Sequence, residues 1–265
     1  MFIKMPEFTT AKSAVSKIKS NSLIVFSGMQ LNRSPMQLVY ELIRQNINTT
    51  NKFSIVGTPN PIPMDMMIGA DLVSEIEFCF MGYRYEYGFF IPKHFRSAVE
   101  KKEIDYIESG AYSIMMGLRA GAMNLDIIQL KNFEGSDLLK IKNKNLVCSK
   151  DPFSGKKVLL RRAVKPDFAL IHAQYADKKG NIYIEDELNE RLIAKASKKV
   201  IVSVEKIKEK INKNPAINSF FVDYIIEMPQ GAFPSSCYKF YNYKKEIIRD
   251  YEEKSFTQFF NLHII

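Results

Sequence analysis

Residues 22–44, SLIVFSGMQLNRSPMQLVYELIR, restrict the fold more than any other stretch of the chain. Leu23, Ile24, Val25 and Phe26 form a short, partly β-branched apolar run of the kind that fills a buried strand. The run stops at Ser27-Gly28, where glycine allows a sharp turn and the close approach of a ligand. Ser34-Pro35 then opens a helix, with serine as its cap and proline at the first helical position. Leu38, Val39, Leu42 and Ile43 recur at helical spacing and turn one face to a sheet. Strand, glycine turn and helix together build the crevice of an open α/β sheet, with backbone N–H groups aimed at whatever binds there.

The pattern repeats along the chain. A second buried strand, Phe53 to Val56, ends at Gly57, and its loop Thr58-Pro59-Asn60-Pro61-Ile62-Pro63 is stiffened by three prolines. A short apolar turn, Met64 to Ala70, leads to a strand from Ile76 to Met81 that ends at Gly82. The aromatic run Tyr83–Phe90 follows, and a helix begins near Pro92 with Phe95, Ala98 and Val99 inward. Further strands are expected at Ile104–Ile107, Phe168–Ile171 (ending at His172), Val200–Val204 and Phe220–Ile226. Helices are expected at Tyr112–Met123 and Glu187–Ser197, with a charged one at the C-terminus. Residues 131–165 read as irregular, with a turn at Asp151–Gly155. This alternation predicts one α/β domain over residues 1–265, an open, mostly parallel sheet with helices on both faces.

Composition narrows the function classes. An apolar content of 46% and a charged content of 25% are ordinary for a globular protein. No apolar run approaches the roughly 20 residues that span a bilayer, and no signal peptide is evident. Cys79, Cys148 and Cys237 are odd in number and far apart, which suits a reducing cytoplasm better than disulfides or a metal site. The net charge of +9 is spread over scattered lysines without interleaved aromatics. It reads as a solvated basic surface, not a nucleic-acid platform, with attraction of a polyanionic ligand as the alternative.

The ends of four strands, Ser27-Gly28, Gly57-Thr58, Met81-Gly82 and His172-Ala173, are expected to converge on a crevice. No nucleophile–base pair, phosphate loop or metal spacing is visible. His172 is open to two readings, a catalytic base or a core histidine; His94 and His263 read as surface residues. The aromatic run 83–90 and the loop Gln230–Cys237 have the residue types of subunit contacts. A crevice without a catalytic group suggests half of an active site.

The chain resembles the A (α) subunit of family I CoA-transferases, nearest the glutaconate CoA-transferase type. The resemblance rests on VFSGMQLNRSPMQLVYEL (25–42), VGTPNPIPMDMMIGAD (56–71), FRSAVE (95–100), GLRAGAM (117–123) and GSDLL (135–139). It continues through DPFSG (151–155), PDFALIHAQ (166–174), ADKKGN (176–181), VSVEKI (202–207) and QGAFPSSC (230–237). It implies a CoA-transferase fold and a hetero-oligomer with a B subunit, coenzyme A as substrate and no permanent cofactor or metal. It also implies transfer of CoA between an acyl-CoA and a carboxylic acid. The catalytic glutamate belongs to the partner, so no catalytic residue is expected here. Ser27, Gly28 and Met29, with Asn32 nearby, would supply oxyanion and acyl contacts, and Thr58, Pro59 and Asn60 would line the acyl pocket. The usual Gly-Gly-Phe turn is replaced by Ser27-Gly28-Met29. A sister branch of ring-opening hydrolases carries a glutamate that falls near Ala111 here, where no acid stands. The alternatives are a non-catalytic ligand-binding relative and such a hydrolase subunit.

Overall fold

A computed structural model describes residues 5–86, 88–131 and 143–264. In chain order the elements begin with β1 (Glu7–Phe8), α1 (Ala11–Val15), β2 (Leu23–Phe26), α2 (Met36–Asn46), β3 (Phe53–Gly57), α3 (Pro61–Gly69) and β4 (Val73–Phe78). Next come β5 (Tyr83–Tyr85), β6 (Gly88–Phe90), α4 (Lys93–Glu100), β7 (Asp105–Glu108), α5 (Ala111–Ala122), β8 (Ile127–Leu130), β9 (Leu146–Lys150) and β10 (Lys157–Arg162). The chain closes with β11 (Phe168–Asp177), β12 (Ile182–Tyr183), α6 (Glu190–Ala196), β13 (Lys199–Lys208), β14 (Tyr224–Glu227), α7 (Lys245–Glu253) and α8 (Phe256–His263).

The main sheet has nine strands in the order β1-β14-β13-β11-β2-β3-β4-β7, and β12 pairs antiparallel beside β11. Every other neighbouring pair is parallel, as the repeated alternation requires. Successive strand residues face opposite sides, so Ile24 and Phe26 enter one apolar cluster while Val25 enters the other. The first cluster lies under α2, α3 and the C-terminal helices; the second includes Ile114 and Leu118 of α5 and Ile193 of α6.

From β2 the chain steps outward through β3, β4 and β7; from β11 it steps the other way through β13 and β14. The sheet therefore changes direction between β2 and β11, and ligands of open α/β sheets bind outside the carboxyl ends of strands at such a point.

Several expectations change. Met64–Ala70 belongs to a full helix, α3, because Pro61 stands at its first turn, where a missing N–H costs no bond. Pro35, not Ser34, occupies the cap position of α2, and the Ser34 hydroxyl instead donates to Asn60 Oδ1 at 2.8 Å. The stretch read as irregular contains β9 and β10, a hairpin that turns at Asp151–Gly155 and joins β8, just before the stretch, in a small antiparallel sheet, β8-β10-β9. The GSDLL motif lies outside the described residues. The C-terminus forms two helices, α7 and α8, rather than one. No described helix is long and apolar enough to cross a membrane.

Candidate functional site

The turn after β2 is a compact backbone device. Ser27 N–H donates to Leu170 O and prolongs the β2–β11 pairing, while Met29 N–H and Asn32 N–H each donate to the other's carbonyl across the turn. Gln30 N–H reaches Pro59 O at 2.8 Å, and Asn60 Nδ2 donates to Ser27 O, so this turn and the loop after β3 are bonded together. Gly28 is buried and makes no hydrogen bond through its N–H among the described residues. A buried, unpaired N–H is uncommon and marks a place to seek a ligand. Of the three backbone donors expected at Ser27, Gly28 and Met29, only that of Gly28 is thus unengaged.

Gly28 also has no substitute. Its φ of +92° lies in the left-handed region, and an added Cβ would meet Asn32 O and Arg33 O, each at 2.7 Å. Valine at this position would break the turn before it blocked any ligand.

Arg33 locks the turn from behind, although no periodic pattern in the sequence points to it. Its side chain is fully buried. Nε meets Asp186 Oδ1 at 2.9 Å, Nη1 donates to His172 O at 3.1 Å, and Nη2 lies 2.8 Å from Glu190 Oε1. Burial alone would raise the Asp186 carboxyl. The Arg33 charge and hydrogen bonds from Gln174, Asn32 and Arg33 outweigh it and hold that carboxyl below its ordinary value. Arg33 N–H donates to Ser236 O, and the Ser236 hydroxyl to Asn32 Oδ1, tying in the loop around 230–237. Asn32 Nδ2 donates to Asp186 Oδ2 at 2.7 Å. Outside this lock lies a cleft of ≈ 540 Å³, bordered by Asn32, Asp186, Ser236, Tyr238, Phe240 and Tyr241.

His172 does not end a strand: β11 runs five residues beyond it, to Asp177. The histidine is fully buried, with Nδ1 2.9 Å from Ser203 Oγ and Nε2 2.9 Å from Glu205 Oε1. Burial lowers its pKa more than Glu205 raises it, so the ring is neutral, with Nε2–H directed at the carboxylate and Nδ1 accepting from Ser203. Burial pushes Glu205 up, but His172, Tyr241 and the Gln230 N–H pull it lower still, and it stays ionised. The core reading of His172 therefore holds. Cys237 joins His172 and Glu205, with the three possible ligand atoms within 4.8 Å of one another. The carboxylate and both ring nitrogens already have protein partners, and burial pushes the Cys237 thiol up to about 12. The cluster fastens the loop after β14 to the sheet, since Tyr241 receives Ala232 N–H at 3.1 Å and bonds Glu205.

Thr58 and Asn60 are buried, at 3% and 1% exposure, and Pro59 lies between them beside the Gly28 turn. Met29 projects outward at 45% exposure. Gln30 Nε2 donates to Gly82 O, bringing the β5–β6 hairpin alongside, where Phe80 and Phe89 are also exposed. The aromatic run is thus divided: Tyr83 and Tyr85 belong to the core, while Phe89 faces outward. Most of Gln230–Cys237 is likewise buried within this chain. His94 is not a surface residue; it packs on Tyr251 and Phe256, and burial lowers its pKa to about 4. His263 is also largely covered and lies 3.1 Å from Asp250. Ala111, where the hydrolase glutamate would fall, is the first residue of α5.

Comparison with known proteins gives consistent results. The family described as Coenzyme A transferase matches residues 8–228. An uncharacterized protein of Archaeoglobus fulgidus is 31% identical over 91% of this chain, which spans 54% of that relative's length. The A subunit of glutaconate CoA-transferase from Acidaminococcus fermentans is 28% identical over 96% of this chain and 85% of its own. The solved structure of that organism's glutaconate coenzyme A-transferase superposes with a TM-score of 0.86 at 26% identity, covering 96% of this chain and 86% of the other. A variant of the decarboxylase AibA/AibB superposes with a TM-score of 0.90 at 28% identity, covering 98% of both chains.

Proposed function

Because the chain belongs to the coenzyme A transferase family, we propose that it is the A subunit of a hetero-oligomeric enzyme that moves CoA between an acyl-CoA and a carboxylic acid. A glutamate of the B subunit attacks the thioester carbonyl and expels the CoA thiolate, leaving a mixed anhydride. The thiolate then attacks the glutamyl carbonyl, releasing the first acid and forming an enzyme–CoA thioester. The second acid reverses the sequence and departs as its own CoA ester. Covalent catalysis of this kind divides one difficult exchange into easier steps.

In this scheme the present chain supplies no nucleophile. Its Gly28 N–H donates to the oxygen that becomes negative when the thioester is attacked, and Thr58, Pro59 and Asn60 wall the acyl group. The observation that carries the reading is that buried, unengaged N–H at the point where the sheet changes direction. The exposed Met29, Phe80 and Phe89 beside the turn suit coverage by the B subunit.

The test is co-expression with a B subunit and assay of CoA exchange. Activity is expected in the assembled pair and none in this chain alone; turnover by the isolated chain would sink the reading. The superposition on a decarboxylase favours a second reading, in which the same paired site releases carbon dioxide from an acyl-CoA. Carbon dioxide formed without any acceptor acid would favour it, and free acid with free CoA would favour a hydrolase.

A further inference from the structure

We propose that the chain binds a small aliphatic carboxylate in a second cleft, on the face of the main sheet beneath β10. The site stands independently of the transferase reading. Its cleft has a volume of ≈ 490 Å³. Leu23 and Val56 form an apolar floor, and both pack in the cluster that α5 and α6 cover. Val56 pairs in register with Glu77, whose side chain therefore points to the same side of the sheet. Leu23 precedes Ser27 by four positions, roughly 13 Å of extended chain, so the floor lies on the face of the sheet, well before the Gly28 turn.

The charges around the cleft favour an anion. Lys144 pairs with Glu75, Lys165 with Asp126 at 2.9 Å, and Arg161 with Glu77 at 2.9 Å. Those three pairs leave Arg162 in excess; it is exposed, and its side chain pairs with no acid among the described residues. Asp126 is 93% exposed, and a surface pair of that kind contributes little, so Lys165 is readily released to a ligand. A cation entering here finds no free acid. A monoanion finds an unmatched arginine and a releasable lysine, and the apolar floor suits an alkyl body.

Arg161, wholly buried, forms an inner wall and carries the inference. A guanidinium has five N–H donors to place. Nη2 donates to Glu77 Oε2 at 2.9 Å; Nη1 faces Glu77 Oε1 without the alignment of a hydrogen bond, and Nε has no acceptor among the described residues. The cause lies in α5. Gly117 packs against the guanidinium, where an added Cβ would stand 3.0 Å from Nε, and it brings no side chain to accept a bond. Glu77 does not depend on Arg161 alone, since Ser109 Oγ at 2.5 Å and Asn145 Nδ2 at 2.9 Å also donate to it. Unspent buried donors are unfavourable, and an entering carboxylate relieves them. A turn of the guanidinium trades its bond to Glu77 for a two-pronged grip on the ligand, while Arg162 and Lys165 hold the same group from the rim.

The experiment titrates the purified full chain by calorimetry with acetate, butanoate, phosphate and butylammonium. Butanoate is expected to bind with a Kd on the order of 1 mM, and roughly tenfold tighter than acetate, because two further methylenes leave water. Phosphate should bind more weakly than butanoate, and butylammonium not at all. Arg162→Gln, at an exposed position, should weaken butanoate about tenfold and leave the melting temperature of the free chain unchanged. No binding up to about 50 mM butanoate, by heat or by melting shift, overturns the proposal. So does equal affinity for acetate and butanoate, or phosphate bound as tightly as butanoate. An affinity unchanged by Arg162→Gln would put the butanoate elsewhere, at the Gly28 crevice for one, and overturns it too. Because none of these readouts uses CoA exchange, their failure and the failure of the transferase reading are separate events.

Discussion

Arg33→Met removes the buried cation that holds the crevice turn. In the native chain the guanidinium, fully buried, faces Asp186 at 2.9 Å, Glu190 at 2.8 Å and the His172 carbonyl at 3.1 Å. After substitution Asp186 keeps Asn32 and Gln174 as donors and is partly solvated. Glu190 has no such relief: its side chain is fully buried, and only the N–H groups of Leu188 and Asn189 remain. Breaking one side of a buried ion pair typically costs about 3–5 kcal/mol, chiefly through the charge left behind. For a chain of this size that corresponds to a fall in melting temperature of roughly 6–20 °C. Urea unfolding followed by far-UV circular dichroism measures the loss. The double variant Arg33→Met/Glu190→Gln tests the cause: neutralising the stranded carboxyl should recover a large part of it. A loss below about 1 kcal/mol in the single variant, or strictly additive effects in the double one, would refute this account.

Two further outcomes are expected. Gly28→Ala should lower stability and exchange activity together, because its Cβ would meet two backbone carbonyl oxygens at 2.7 Å; a variant with native stability would show that the turn tolerates a side chain. Burial raises Asp65 from 3.8 to about 6, and burial followed by the Asp65 charge raises Glu252 from 4.5 to about 7. Both carboxyls bind protons more tightly when folded, so their contribution is fully present below about pH 4 and is lost as pH rises through 6 to 7. For Asp65 alone the change is worth about 3 kcal/mol. Asp65→Asn should therefore flatten the decline in melting temperature between about pH 4 and pH 6; an unchanged slope would contradict this.

The parts of the fold set by local pattern are legible in the sequence. β2, β3 and α2 follow from apolar runs, periodicity and a glycine stop, and the parallel sheet follows from their repetition. The departures have local causes too. α3 is hidden by prolines that read as loop, although the first turn of a helix tolerates them. β9 and β10 carry lysine and arginine on an exposed face, so they lack the apolar density of a core strand. Within the site, Gly28, Thr58 and Asn60 stand out by turn chemistry. Arg33, Asp186 and Glu190 do not, because their contacts join residues some 150 positions apart and leave no periodic trace. Glu205 leaves one signal: a lone acid ending the apolar run Val200–Val204 demands a buried partner, and His172 supplies it.

The strand order also fixes a sequence of events at the ribosome. β2, β3, β4 and β7 come from residues 23–108 and can assemble as a half-sheet while the rest of the chain is still being made. Their inner border, β2, stays without its neighbour until β11 emerges some 60 residues later. β1, made first, waits longest, because its partner is β14 at the far border. The nascent protein thus carries an open strand edge at the very seam that later becomes the crevice, and an unpaired edge invites wrong pairing. Joining β2 to β11 both caps that inner edge and completes the crevice, so a chain in which this edge is closed to wrong pairing is also one whose crevice has formed.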